Sequence, residues 1–255
     1  MKTPVYNSQF YDVQSQPSAL SAKHILPYVF SLWKPNQVDD VGCGIGTWAS
    51  AAKELGVKVN GYDGHYVDLN QLLINPSEFH SVDLETDLDL PLYSDFVMCL
   101  EVAEHISPSR SEWLIQQLTK SADVVLFSAA IPYQGGVNHI NERWQQFWVD
   151  LFHTNGFVPV DVLRCEIWNN QMISIEYRQN SQLFVRSGSE VLRVLSEYAS
   201  SINYGGLDVC HPEMYLSKID YVRFKNIGLR SMFQIITKWL YHRLSGSQSD
   251  AGLLD

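Results

Sequence analysis

Two stretches of this chain hold side chains whose types and spacing could do chemistry. The first is Val38-Asp39-Asp40-Val41-Gly42-Cys43-Gly44-Ile45-Gly46-Thr47-Trp48-Ala49, which reads as a short strand, a turn with three glycines and the start of a helix. Glycine has no Cβ and accepts positive φ, so such a turn lets bare backbone approach a ligand closely. The dinucleotide fingerprint wants G-x-G-x-x-G, whereas here Thr47 stands where its last glycine would be. Asp40, two residues before Gly42, would repel a pyrophosphate but would welcome an ammonium or sulfonium group. The turn therefore suits a cationic ligand. The second stretch is Glu101-x-x-Glu104-His105, with His139 further along the chain. Imidazole titrates near neutral pH and can take a proton, and carboxylates with imidazoles also suit magnesium, manganese or zinc.

Strands and helices must bring these groups together. Residues 11 to 33 carry a helical pattern around Leu20, Ile25, Leu26 and Val29, with Pro27 weakening any single long helix. The aromatics Tyr6, Phe10 and Tyr11 could lid a site or simply pack on a sheet edge. After the glycine turn, Trp48, Ala51, Ala52 and Leu55 sit at helical spacing and Gly56 ends the helix. Lys58 to Tyr62 makes a second strand that ends in Asp63, where a carboxylate can accept both ribose hydroxyls of a nucleoside; the competing use is a turn residue in Tyr-Asp-Gly. Phe79 to Leu84 is the next strand and carries Asp83 near its end, followed by Glu85, Asp87 and Asp89 as a solvated acidic loop.

Asp95 to Glu101 is an apolar run suited to a strand buried on both faces. Ser107 and Pro108 then start a helix through Trp113, Leu114 and Leu118. Asp123 to Ile131 is another strand, broken by Pro132-Tyr133-Gln134-Gly135-Gly136. A helix with Trp144, Phe147, Trp148, Leu151 and Phe152 on one face follows, ended by Asn155-Gly156, with Trp148 expected in the core. The last strands are read at Val158 to Leu163 and at Met172 to Tyr177, the latter continuing from Gln182 to Val185. The alternation predicts an α/β, Rossmann-like, doubly wound, mostly parallel seven-stranded sheet with helices on both faces, and places the chemistry at the carboxyl ends of the strands.

Several stretches in register carry a resemblance: the acidic glycine turn, Gly61-Tyr62-Asp63-Gly64, Leu100-Glu101-Val102-Ala103-Glu104-His105, Phe127-Ser128-Ala129-Ala130-Ile131-Pro132 and Asn138-His139-Ile140-Asn141-Glu142. On these the sequence resembles the class I S-adenosylmethionine-dependent methyltransferases, and more closely a group of small bacterial members of mostly unassigned substrate, over roughly residues 10 to 187. The resemblance implies that Gly42, Gly44 and Gly46 pass the methionine part of the cofactor S-adenosyl-L-methionine and that Asp40 supports its amino-acid end. Asp63 would meet its ribose and Asp83 its adenine, with Cys43, Gly64, Leu84, Leu100 and Glu101 also in the cofactor's site. On the loops after the fourth and fifth strands, His139 is the candidate general base because an imidazole titrates near neutral pH, with His105 and Glu104 beside it in the catalytic set, and position alone makes Tyr133 and Gln134 the candidate substrate contacts. The competing use of His139 is to order the turn Asn138 to Asn141.

The Glu101-x-x-Glu104-His105 spacing also resembles the metal-binding motif of the plant small-RNA terminal methyltransferases and of some quinone-pathway O-methyltransferases. That likeness implies a divalent metal on Glu101, Glu104, His105 and His139; a plain Glu-His hydrogen bond is the alternative. The expectation is a cytoplasmic methyltransferase acting at oxygen on a small molecule or a biosynthetic sugar. A cofactor-binding module that has lost transfer and an NAD-dependent oxidoreductase are the alternatives, the second opposed by Thr47 and Asp40.

The chain's 255 residues suit residues 1–187 as one domain and 188–255 as a helical C-terminal extension with a disordered tail from Ser245. Leu229, Met232, Phe233, Ile236, Leu240 and Leu244 describe an amphipathic helix that could pack on the core or on a second subunit. A formal charge of −10 argues against non-specific nucleic-acid binding, and no apolar window is long enough for a membrane span. Cys43, Cys99, Cys165 and Cys210 fit no metal or redox spacing and read as reduced, structural thiols.

Overall fold

In the computed structural model of the chain, residues 8–199, 208–226 and 237 are described. Seven strands, β1 (Gln37–Val41), β2 (Lys58–Asp63), β3 (Phe79–Ser81), β4 (Phe96–Leu100), β5 (Val124–Ser128), β6 (Phe157–Val160) and β7 (Gln182–Arg186), form one sheet in the order β3-β2-β1-β4-β5-β7-β6. The first five are parallel, and β7 runs antiparallel to both β5 and β6. This is the expected Rossmann-like sheet. The reversal of strand order between β1 and β4 leaves a crevice at their carboxyl ends, where open α/β sheets bind ligands.

Helices α1 (Ser8–Leu32), α2 (Thr47–Glu54), α3 (Ser111–Ser121), α4 (Gln145–Thr154), α5 (Val162–Ile167), α6 (Ile175–Asn180), α7 (Glu190–Ala199) and α8 (Pro212–Asn226) accompany the strands, with three short 3-10 turns between them among the described residues. Every residue of β4 is buried, and side chains alternate across it as a pleated strand requires. Phe96 and Met98 join Ile25, Leu26, Val29, Trp48 and Ala52 in one apolar layer. Val97 and Cys99 join Leu114, Leu118, Phe127, Trp148 and Phe152 in the other.

Several expectations change on contact with the fold. Pro17 and Pro27 both lie inside α1, which continues through them. An interior proline costs a helix its N–H and crowds the preceding turn. Here Ala22, Ile25 and Leu26 are fully buried, and that packing holds the helix together, while Leu20 faces outward. Met172 to Tyr177 is no strand. Ile173 and Tyr177, four residues apart, are the two that turn inward, which is helical spacing, and the segment leads into α6. The strand read to Leu163 stops at Val160, since Asp161 pairs with Arg164 and Val162 opens α5. Ser107 makes no side-chain cap, and a short 3-10 turn over Pro108–Arg110 precedes α3. Cys165 and Cys210 are exposed rather than packed.

Two compact units divide the chain, Met1–Met214 and Tyr215–Asp255. The first runs past residue 187, because Val191 and Leu195 of α7 belong to its core. The amphipathic helix around Leu229 to Leu244, the tail from Ser245, Tyr6, and the side chains of Phe10 and Tyr11 lie outside the described residues. Among the described residues, no helix is long and apolar enough to cross a membrane.

Candidate functional site

A cavity of about 330 Å³ opens at the carboxyl ends of β1, β2 and β4, a size in the range of small-molecule sites. Its floor is the turn after β1, where Gly42 and Gly44 have φ of 77° and 55° and line the cavity. A Cβ on Gly42 would lie 2.2 Å from Val102 Cγ2, so only glycine lets this turn pack against the segment after β4. Cys43 lines the cavity too, its thiol set against Gly61, where a Cβ would come within 2.7 Å of the sulfur. Gly46 starts α2 with φ 85° and does not line the cavity.

Asp63 closes β2 and faces the cavity. Its Oδ2 accepts from Gly44 N at 2.6 Å, and its Oδ1 accepts from Gly64 N at 2.6 Å and from the Tyr66 hydroxyl at 2.5 Å. Burial pushes the Asp63 carboxyl above its ordinary range, and these three bonds oppose the rise. Asp40 stands behind the turn, 3% exposed, and accepts from Ala49 N at 3.1 Å instead of lining the cavity. Burial pushes it up to about 7, the Ala49 bond opposing and the Asp63 charge adding to the rise. Asp83 and Leu84 line the cavity just past β3, and the Asp83 carboxyl, held by Glu85 N at 2.9 Å, lies below its ordinary range.

Leu100 and Glu101 line the cavity at the end of β4. Glu101 has φ 54°, a conformation that non-glycine residues adopt mostly under local constraint. The constraint is visible: its N–H bonds to Ser128 O and Oγ, its Oε2 accepts from Gln134 Nε2 at 3.0 Å, and its Oε1 accepts from Asn180 Nδ2 at 3.1 Å. Glu104 is fully buried, and neither carboxylate oxygen has a hydrogen-bond partner. Burial first, and then the Glu101 charge, push its carboxyl well above the carboxylate range.

His105 and His139 meet edge to face with ring centroids 4.8 Å apart, and one ligand atom from each of Glu104, His105 and His139 lies within 4.8 Å of the others. Burial, and then the neighbouring His139, push His105 down to about 4, with the Asn138 and Val137 carbonyls opposing. His139 Nδ1 sits 3.0 Å from Glu142 Oε1.

The structure thus brings together three of the four metal-ligand candidates, while Glu101 is turned aside with both oxygens taken by amides. Neither expected substrate contact lines the cavity. Gln134 is 4% exposed, locked onto Glu101, and Tyr133 is 88% exposed, turned outward by a backbone with φ 68° whose N–H bonds to Glu142 Oε2. Sequence reasoning missed Tyr66, three residues after Asp63, and it missed Ser18, Trp48 and Tyr177. Tyr66 was within reach of a local reading. Ser18 and Tyr177, 159 residues apart, carried no signal that could join them.

No protein-family model matches this sequence, and no curated protein matches it. Solved structures do. A magnesium protoporphyrin IX methyltransferase from Synechocystis PCC 6803 with bound SAH is 21% identical, with a TM-score of 0.50 over 71% of this chain and 88% of that one. The sugar N-methyltransferase of Streptoalloteichus sp ATCC 53650 is 13% identical, with a TM-score of 0.53 over 73% of this chain and 97% of that one. An O-methyltransferase family protein from Burkholderia thailandensis is 12% identical, with a TM-score of 0.50 over 71% of this chain and 59% of that one. These likenesses establish the fold.

Proposed function

We propose that this chain is an S-adenosylmethionine-dependent methyltransferase that acts on a small-molecule or sugar acceptor, with transfer to oxygen. One observation carries the reading: the bare glycine turn after β1 and the Asp63 carboxylate at the end of neighbouring β2 face a single cavity. The residues present fit that cofactor. Gly42 and Gly44 leave backbone without side chains along the floor, and a Cβ on Gly64 would lie 2.1 Å from Tyr66 Cε1, so glycine there lets the Tyr66 ring lie against the chain. Asp63 would hold the ribose hydroxyls in place of the Tyr66 hydroxyl, Asp83 and Leu84 would flank the adenine, and Asp40, ionised above about pH 7 in the empty protein, would add negative charge from behind the turn.

When bound, this cofactor supplies a methyl group already activated by its sulfonium. The chain must then align an acceptor oxygen and take up its proton. With Nδ1–H given to Glu142, the His139 ring presents Nε2 as the acceptor of that proton. His105, pushed down to about 4, stays neutral at physiological pH and adds no positive charge beside it.

A second use of the same nitrogen is favoured by the two orphaned oxygens of buried Glu104. A buried carboxylate with no partner suits a cation, and Glu104, His105 and His139 are a donor set for manganese, magnesium or zinc. Such an ion would bind the acceptor hydroxyl and lower its pKa. His139 Nε2 is then a ligand and not a base, so the two uses exclude one another.

Calorimetric titration with S-adenosylmethionine, S-adenosylhomocysteine and NAD, alongside Asp63→Ala, tests the cofactor. Saturable binding of the first two, lost in the variant, with no response to NAD, is expected; binding of NAD alone overturns the reading. Titration with manganese, repeated on His139→Ala, separates base from ligand, since only a ligand role makes manganese affinity depend on His139.

A further inference from the structure

Three polar side chains from three separate elements meet on the cavity wall: Ser18 of α1, Trp48 of α2 and Tyr177 of α6. Each is more than nine-tenths buried. Trp48 Nε1 donates to Ser18 Oγ at 3.0 Å and lies 3.4 Å from the Tyr177 hydroxyl, and the two hydroxyls are 3.2 Å apart. Indole is a donor only, and each hydroxyl brings one hydrogen. The indole hydrogen goes to an oxygen of the trio, and the single contact between the hydroxyls uses one of their two hydrogens. One hydrogen is therefore left over, and among the described residues these three groups bond only to each other. Buried donors are seldom left unpaired, and the free space beside this one is the cavity.

The rest of that wall offers the opposite chemistry. Asp63, Asp83, Glu85 and Glu101 line it together with His65 and His105, and among the described residues no lysine or arginine does. A carboxylate entering the cavity would be repelled by these four acids and would meet a surplus neutral donor at this corner. Resting on the cofactor reading above, we infer that Ser18, Trp48 and Tyr177 form the subsite for the carboxylate of the ligand's amino-acid end, recognised by neutral donors without a basic side chain. The layout agrees. Asp63 ends β2, Trp48 lies on α2 beside β1 and β2, and Tyr177 lies on α6 beside β5, so the cavity that Asp63 lines also reaches the trio.

Removing one hydroxyl is a weak test, because the remaining one inherits the surplus hydrogen. The informative variants are the triple Ser18→Ala/Trp48→Phe/Tyr177→Phe, which leaves no donor in the corner, and Ser18→Asp, which puts a carboxylate into it. The probes are S-adenosylhomocysteine and 5′-methylthioadenosine, a nucleoside without the amino-acid end. In the wild-type chain the first should bind more tightly. In both variants its affinity should fall by about 10-fold or more, the worth of a hydrogen bond to a charged group, while 5′-methylthioadenosine stays within about twofold. Thermal melts of both variants report folding independently. Equal weakening of both nucleosides, or unchanged binding of S-adenosylhomocysteine in a folded variant, overturns the subsite and leaves the cofactor reading standing. Failure of both nucleosides to bind the wild-type chain overturns the cofactor reading and the subsite with it.

Discussion

Replacing Asp40 by asparagine should stabilise the empty protein, and the gain should grow with pH. Asp40 is a carboxyl at 3% exposure with Ala49 N as its hydrogen-bond donor, and burial lifts it from an ordinary 3.8 to about 7. A carboxyl whose folded pKa is raised binds its proton more tightly in the folded than in the unfolded chain, so stability falls as pH rises between the two values. Below 3.8 there is no penalty, and above about 7 it is complete. At 1.36 kcal/mol per pH unit the full penalty is about 4 kcal/mol, of which about 2 kcal/mol is present at roughly pH 5. The introduced amide would keep an oxygen for Ala49 N and carry no charge, so Asp40→Asn should gain about 2 kcal/mol at roughly pH 5 and about 4 kcal/mol at roughly pH 8. Urea unfolding of both proteins at the two pH values measures this directly. An equal gain at both, or a loss at the higher pH, would refute the reasoning, since either would mean that the Asp40 charge is already compensated within the fold.

Gly42→Ala should cost roughly 2–4 kcal/mol in urea unfolding, because its Cβ meets Val102 Cγ2 at 2.2 Å and φ is 77°; part should return in the double variant with Val102→Ala, which relieves the clash but not the φ. Under the metal reading, Glu104→Gln should weaken manganese binding at least about 10-fold by calorimetry, and unchanged binding would remove Glu104 from the ligand set. Gly136→Ala should displace the His139 ring, since the new Cβ would lie 2.2 Å from Nε2. Turnover with an identified acceptor should then fall about 100-fold while the melting temperature stays close to wild type, Gly136 being exposed; retained turnover would show that His139 is not positioned for chemistry.

The succession of the parallel strands and the glycine turn that lines the cavity were legible in the sequence because both rest on local signals. Buried parallel strands such as Phe96–Leu100 are continuous apolar runs, and the glycine turn is contiguous, so short windows suffice to see them. The same windows misled where one pattern serves two structures. Met172 to Tyr177 has residues that suit a strand, and only the core decides that Ile173 and Tyr177 point inward together. Pro27 counts against a helix locally, and only the burial of Ile25 and Leu26 overrides it.

Within the site, sequence named the residue types near the cavity, and tertiary structure assigned their company. Glu101 and Glu104 look equivalent in the chain. The fold gives both oxygens of Glu101 to Gln134 and Asn180, leaves those of Glu104 without a hydrogen-bond partner, and groups only Glu104 with the histidines. The corner made by Ser18, Trp48 and Tyr177 exists only once α1, α2 and α6 pack, since hydrogen bonds need convergence in space and a sequence records only separation along the chain.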